Sequence, residues 1–313
     1  MSLGNWLDRA EMQVDQYGPV AGSKAALGSL VSGVSHRLSG LYPRGGTNVY
    51  DDEWDLLIVL DACRVDALEA VAPEYDFVPN AVPSIRSVAP NSHLWMKRTF
   101  TASRRDEVAE TTYVTANGHV KGFGNGTFEL AFDQFGHIDR VYEHGFDREL
   151  ETIPPRAVTD ATVSALRSDA TSRTIAHYMQ PHTPYRSLGL DGLGGGGDKA
   201  FRETVWDWIL AGKLSRDEAW EHYLDNLRWV LDDVELLLRS VDADRVVVTA
   251  DHGEAYGEWG AYGHSATGEF DGLRRVPWVV TDATDDGEYE PTAAESDDEQ
   301  VDVDEQLKYL GYV

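Results

Sequence analysis

The sequence contains one cysteine, Cys63, and only six lysines in 313 residues. A single cysteine excludes an intrachain disulfide and a cysteine-based zinc cluster. The scarcity of lysine is not a scarcity of charge, because 21 arginines face 54 acidic residues and the formal net charge is −27. So negative a chain repels nucleic acid and anionic membrane surfaces unless a basic pocket forms locally, and no nucleic-acid partner is expected. The acids are spread along the chain, as on a solvated, halophile-type surface. No apolar run approaches the length needed to span a bilayer. The first twenty residues lack the charged-then-apolar pattern of a secretory signal, so a cytoplasmic location is expected. Residues 19–34 (PVAGSKAALGSLVSGV) are mildly apolar and are the one stretch suited to peripheral membrane association. The glycine-rich segment 187–198 (SLGLDGLGGGGD) is not a phosphate-binding P-loop, because Lys199 is followed by Ala200 and no strand feeds it; it reads as a flexible connection.

What is present is enough hydrophobic sequence, 42%, to bury a substantial core. Residues 1–46 read as a helical segment ending in LYPRGGTN. Short continuous apolar runs at 55–60 (DLLIVL), 173–180, 245–250 (RVVVTA) and 276–283 predict strands buried on both faces. Between them, RVDALEAVA and the segment from Val158 through VSALR predict helices. The clearest helix spans 215–239, where Ser215 and Glu218 form a capping box and Trp220, Tyr223, Leu224, Leu227, Val230, Leu231, Val234, Leu237 and Leu238 make an apolar stripe. That stripe reads as core packing. Strands alternating with helices predict an α/β fold, a three-layer α/β/α sandwich around a mainly parallel sheet. The expected organisation is a catalytic domain over 47–283, an acidic linker over 284–304, and a C-terminal segment, 305–313, that docks back.

The strand ends carry the chemistry. The run at 55–60 stops on Asp61, and the run at 245–250 stops on Asp251-His252-Gly253-Glu254. Taken singly, each is a common strand-end turn or helix cap. In a parallel sheet, however, both ends emerge on one edge, where ligands bind. His182, just beyond the strand at 173–180, can join them. Two carboxylates and an imidazole at one point form a divalent-metal site whose mixed O/N donors suit Mn²⁺, Mg²⁺, Ca²⁺ or Zn²⁺.

LIVLDACRVD, TADHGEAYGEWG with its following GH, and LRRVPWVV together resemble the sulfatase-like branch of the alkaline phosphatase superfamily; PHTPY and the terminal EQLKYLGYV support the resemblance, which covers roughly residues 50–313. It implies an α/β/α sandwich with one or two divalent metals at the carboxyl edge of the sheet. It also implies a hydroxyl or formylglycine nucleophile attacking a phosphoryl or sulfuryl centre. Carried across, Asp61, Asp251 and His252 match metal ligands. Ser92, in SVAPNSHLWMKRTF, takes the place of the metal-bound nucleophile. His182 and His264 match histidines that contact the substrate or protonate the leaving group, and His264 is also a candidate ligand of a second metal. Arg64 and Lys97 are candidates for neutralising the ester's charge, with Asn91, Glu254 and Glu258 behind them.

The departures matter as well. Ser92 is followed by HLWMK rather than a formylglycine motif, Asp61 by Ala62 rather than a second Asp, and His252 stands where sulfatases often carry Asn. These shift the expectation toward phosphoesters. The expected function is a metal-dependent hydrolase or transferase of a small anionic phosphoric or sulfuric ester, such as one linked to a glycan or lipid headgroup. The alternatives are a two-metal phosphatase or phosphomutase, and a non-catalytic relative that binds an anionic glycan or headgroup.

Overall fold

The computed structural model describes residues 45–168, 171–188, 204–264 and 269–292. Nearly all of segment 1–46, most of the glycine-rich connection and the segment 305–313 lie outside the described residues. In chain order the elements are β1 (Leu56–Leu60), α1 (Val65–Val71), β2 (Ser84–Arg86), α2 (Ser92–Thr99), α3 (Arg105–Ala109), β3 (Thr111–Thr115), β4 (His137–Arg140), α4 (Pro155–Arg167), β5 (Arg173–Tyr178), α5 (Val205–Leu210), α6 (Arg216–Leu238), β6 (Ala243–Thr249), β7 (Ala255–Tyr256), β8 (Tyr262–Gly263), α7 (Asp271–Arg274) and β9 (Arg275–Ala283).

Seven strands build one sheet in the order β2-β9-β6-β1-β5-β3-β4. β6, β1, β5, β3 and β4 run parallel, and β9 is antiparallel to β6 and β2. Every residue of β1 is fully buried, as a central strand covered on both faces must be; this is why LLIVL has no polar alternation. Helices α1, α4 and α6 pack together on one face, and Thr159 of α4 meets Tyr178 of β5 there, hydroxyl to hydroxyl at 3.0 Å. The opposite face carries α2 and an aromatic cluster in which Phe100 contacts Trp95, Tyr113, Phe123 and Phe135. The architecture is therefore the three-layer α/β/α sandwich with a mainly parallel sheet.

The long helix α6 begins where its capping box places it. Ser215 Oγ accepts from Glu218 N at 3.1 Å, and Glu218 Oε2 accepts from Ser215 N at 3.0 Å. Its buried stripe runs Ala219, Tyr223, Leu227, Val230, Leu231, Val234, Leu237, but the same face also buries Asn226 and Asp233.

Residues 284–290, at the start of the expected linker, make contacts with the domain. Thr284 N donates to Leu238 O at 2.9 Å, and Arg167 Nη2 donates to Tyr289 O at 2.9 Å and to Asp285 Oδ2 at 3.2 Å. The Tyr289 hydroxyl donates to Asp160, and its ring packs against the core. One arginine and one aromatic ring offset an acidic composition that, averaged over the window, reads as unable to pack. No helix among the described residues is long and apolar enough to cross a membrane.

Candidate active site

Four adjacent strands deliver polar side chains to one edge of the sheet. β6 leads into Asp251 and His252, β1 into Asp61, β5 carries His177 and leads into His182, and β3 leads into Asn117. Register explains the convergence. Val59 of β1 pairs with both His177 of β5 and Thr249 of β6, and His177 also pairs with Thr115 of β3. The four carboxyl ends are therefore level.

Ser92 is the first residue of α2 and is buried. Asn91 caps the helix, its Oδ1 accepting from Leu94 N at 2.9 Å. The cap is thus supplied by Asn91, which leaves the Ser92 hydroxyl for the site. Ser92 Oγ lies 3.3 Å from Asp61 Oδ2 and 3.2 Å from His252 Nε2. His252 Nε2 is in turn 3.4 Å from Asp61 Oδ1 and 3.5 Å from Asp251 Oδ2. The structure thus brings together Asp61, Ser92, Asp251 and His252, residues separated by up to 191 positions.

The supporting contacts orient these groups. His252 Nδ1–H donates to Gly253 O at 2.7 Å, which fixes the tautomer and leaves the Nε2 lone pair facing the carboxylates. Gly253 is required by close approach, since a Cβ there would stand 2.2 Å from Gly272 O. Asp251 Oδ1 accepts from His252 N at 2.9 Å and Ala62 N at 3.2 Å. Asn117 Nδ2 donates to Asp61 Oδ2 at 2.9 Å. Asp251 Oδ2 is buried with no hydrogen-bond partner among the described residues, and His177 Nε2 lies 3.7 Å from it.

The electrostatics fit a cation. Burial, followed by the nearby Asp251 charge, holds the Asp61 carboxyl well above the usual carboxylate range. Burial also acts to raise Asp251, but the imidazoles of His252 and His177 outweigh it and hold that carboxyl well below its usual value. Two buried carboxyls this close do not both ionise unless positive charge sits between them. Asp61, Asp251 and His252 offer ligand atoms all within 4.8 Å of one another, and Asp251 Oδ2 is a buried acceptor without a donor among the described residues. These residues suit a divalent cation, and the donor set is that of a hard or borderline metal.

A second group lies alongside. His182, Glu254 and His264 also offer ligand atoms within 4.8 Å of one another, and the rings of His252 and His264 are 4.5 Å apart. His264 Nδ1 lies 3.1 Å from Glu254 Oε1. Burial depresses the His264 imidazole, but the Glu254 carboxylate outweighs this and holds it up to about 9. His182 is pushed the other way, down to about 4, by burial and then by the His264 charge. Its loop is held by Asn226 of α6, whose Nδ2 donates to His182 O at 3.1 Å and Pro184 O at 2.9 Å.

Arg64, a candidate for neutralising the ester's charge, is paired with acids of the protein itself. Its guanidinium is already committed: Nη1 donates to Glu254 O and Glu258 Oε1, both at 2.6 Å, and Nε and Nη2 form a two-pronged pair with Asp66 at 2.8 and 2.7 Å. It also lies over the Trp220 ring. Arg64→Ala is expected to lower folding stability by about 2 kcal/mol, measured by denaturant titration, through lost support for the Glu254 loop. Lys97 sits exposed in the last turn of α2, with no position here that ties it to Ser92.

Two contributors escape the sequence reading, and for a third only its pairing does. Asn117 ends a strand whose TTYVT run is too rich in threonine to stand out as apolar. His177 lies inside a buried strand, where a lone histidine reads as core. Glu254 was visible as the fourth residue of DHGE, but its pairing with His264 was not.

No protein-family model matches the chain, and a search of curated proteins finds no match. Among solved structures, the chain path is similar to the soluble domain of lipooligosaccharide phosphoethanolamine transferase A from Neisseria meningitidis, at 16% identity over 73% of this chain and 75% of that one, TM-score 0.47. The integral membrane form of that transferase is similar at 16% identity over 90% of this chain, TM-score 0.48, and this chain spans 59% of its length. A protein in the alkaline phosphatase superfamily from Vibrio parahaemolyticus is similar at 13% identity, over 87% and 72% of the two chains, TM-score 0.37.

Proposed function

We propose that the protein is a metal-dependent hydrolase or transferase of phosphoric or sulfuric esters, with Ser92 as nucleophile. The observation that supports this reading is the placement of Ser92 Oγ, 3.3 Å from Asp61 and 3.2 Å from His252 at the start of a helix. Asp61, Asp251 and His252 would hold the cation, which supplies positive charge that makes the serine alkoxide accessible and stabilises charge on the ester. The first-turn N–H groups of α2 favour an anionic ester oxygen. Ser92 Oγ forms a bond to phosphorus or sulfur while the leaving oxygen departs on the opposite side. His264, held cationic by Glu254, donates a proton to that oxygen. Water or an acceptor alcohol then attacks the Ser92 ester and gives up a proton to the neutral His264, which frees Ser92. His182 stays neutral and is a partner of His264 rather than the acid.

The test is turnover of p-nitrophenyl phosphate, bis-p-nitrophenyl phosphate and p-nitrophenyl sulfate with Mn²⁺, Zn²⁺, Mg²⁺ or Ca²⁺ after chelation. A metal-restored rate on at least one is expected; no turnover on any, with metal bound, favours the non-catalytic binding alternative. His264→Gln is expected to slow an alkyl ester about 10²–10⁴-fold and a p-nitrophenyl ester little, because p-nitrophenolate leaves without a proton. A second reading has its own support in the His182, Glu254 and His264 group, which would make the site a two-metal one. Two metal equivalents by elemental analysis, falling to one in His264→Gln, would favour that reading.

A further inference from the structure

Ala62, between Asp61 and Cys63, has a φ of 63°. An L-residue rarely adopts this left-handed conformation, because its Cβ crowds the backbone. The conformation has a consequence at the site: it aims Ala62 N–H at Asp251 Oδ1, 3.2 Å away, so the turn that ends β1 reaches the carboxylate that ends β6. Something must hold Ala62 in that state. Tyr223 of α6 supplies it, since its hydroxyl donates to Ala62 O at 2.8 Å and accepts from Arg64 N at 3.0 Å. Both the ring and the turn are buried. One side chain, 161 residues away in sequence, thus bonds Ala62 O and Arg64 N, and acts beside the turn's own hydrogen bond from Cys63 N to Leu60 O at 3.2 Å.

We infer that Tyr223 is a positioning residue of the metal centre: its hydroxyl locks Ala62 in the left-handed conformation that couples the Asp61 and Asp251 carboxylates. This rests on the proposed reading of Asp61, Asp251 and His252 as cation ligands. A tyrosine in the apolar stripe of a core helix needs no hydroxyl for packing, and phenylalanine would fill the same volume. Without the hydroxyl, Ala62 O and Arg64 N lose their buried partner, and the bend relaxes toward conformations that turn Ala62 N–H away from Asp251. Support of this kind around metal ligands commonly changes affinity 10–100-fold.

The experiment is Mn²⁺ titration of the full chain by calorimetry, with circular dichroism melting as the fold check. Tyr223→Phe is expected to weaken Mn²⁺ binding at least tenfold while melting cooperatively. The double variant Tyr223→Phe/Ala62→Gly is expected to recover most of that loss, because glycine adopts positive φ without steric cost. Leu227→Ala, one turn along the same buried stripe, is expected to lower Tm while keeping the affinity. A rescue at residue 62 is not expected of a merely structural tyrosine. Binding by the unaltered chain that Tyr223→Phe leaves within twofold, or a loss that Ala62→Gly does not recover, overturns the inference alone. Absence of Mn²⁺ binding by the unaltered chain overturns the metal-centre reading, and the inference with it.

Discussion

Replacing Ser92 with alanine is expected to reduce turnover of an activated ester by about four to six orders of magnitude while metal binding persists. The magnitude follows from the role: a nucleophile forms the bond that the rest of the site only assists, so its removal leaves residual electrostatic stabilisation alone. The clean separation from folding follows from the local structure. Asn91, not Ser92, caps α2, so the substitution removes a hydroxyl without uncapping the helix. The neighbouring Asp61, Asp251 and His252 keep their mutual contacts and their supports from Asn117, Ala62 and the Gly253 carbonyl. Rapid quenching of the unaltered protein with a labelled ester should trap a covalent adduct on Ser92. Unchanged turnover in Ser92→Ala would sink the nucleophile assignment while leaving the cation site standing.

The second large effect concerns stability. Chelation is expected to lower Tm by roughly 10 °C, because a cation present at a thousandfold excess over its Kd contributes about 4 kcal/mol to the folded state. Asp251→Asn should abolish both this increment and the metal-dependent rate. Its chelated form should melt lower than the chelated unaltered chain at neutral pH, because the Asp251 charge, held by the His252 and His177 imidazoles, stabilises the folded state. The pH dependence has a defined sign. Asp61 has its folded pKa raised by burial and by Asp251, so the folded state binds that proton more tightly than the unfolded chain does. In the chelated protein, the Asp61 contribution is therefore present at low pH and is lost as pH rises through its folded value. Asp251, with its pKa depressed, acts in the opposite sense: its contribution is present above the unfolded carboxylate range and is lost as pH falls through the folded value. A metal displaces the Asp61 proton, so the Tm difference between loaded and chelated protein should grow from mildly acid to mildly alkaline pH. Equal differences across that range would contradict the assignment of Asp61 as a ligand.

Some of this site was legible in the chain. Asp61 and Asp251-His252 stood out because buried parallel strands are continuously apolar, so an acidic stop is a sharp contrast. Asn117 offered the same signal more faintly, since Thr111–Thr115 is buried through its aromatic neighbours rather than through its own hydrophobicity. The ion pairs of Arg64 were not legible, because an arginine near a strand end is equally available to an anionic substrate or to acids far along the chain, and Glu258 is 194 positions away. Tyr223 was visible as a member of the helical stripe, but periodicity reports which face is buried and is silent about what a hydroxyl on that face meets.

By itself the sequence determined the buried strands, the polar residues on which they stop, and the cap and apolar face of the longest helix, because each depends on neighbours within a few positions and on the contrast between burial and charge. Only the tertiary structure decided that β6, β1, β5 and β3 lie side by side with level ends, that Glu254 pairs with His264, and that Tyr223 holds the bend at Ala62. Those are contacts between segments tens to hundreds of residues apart, set by strand order and register, and local composition carries no record of them.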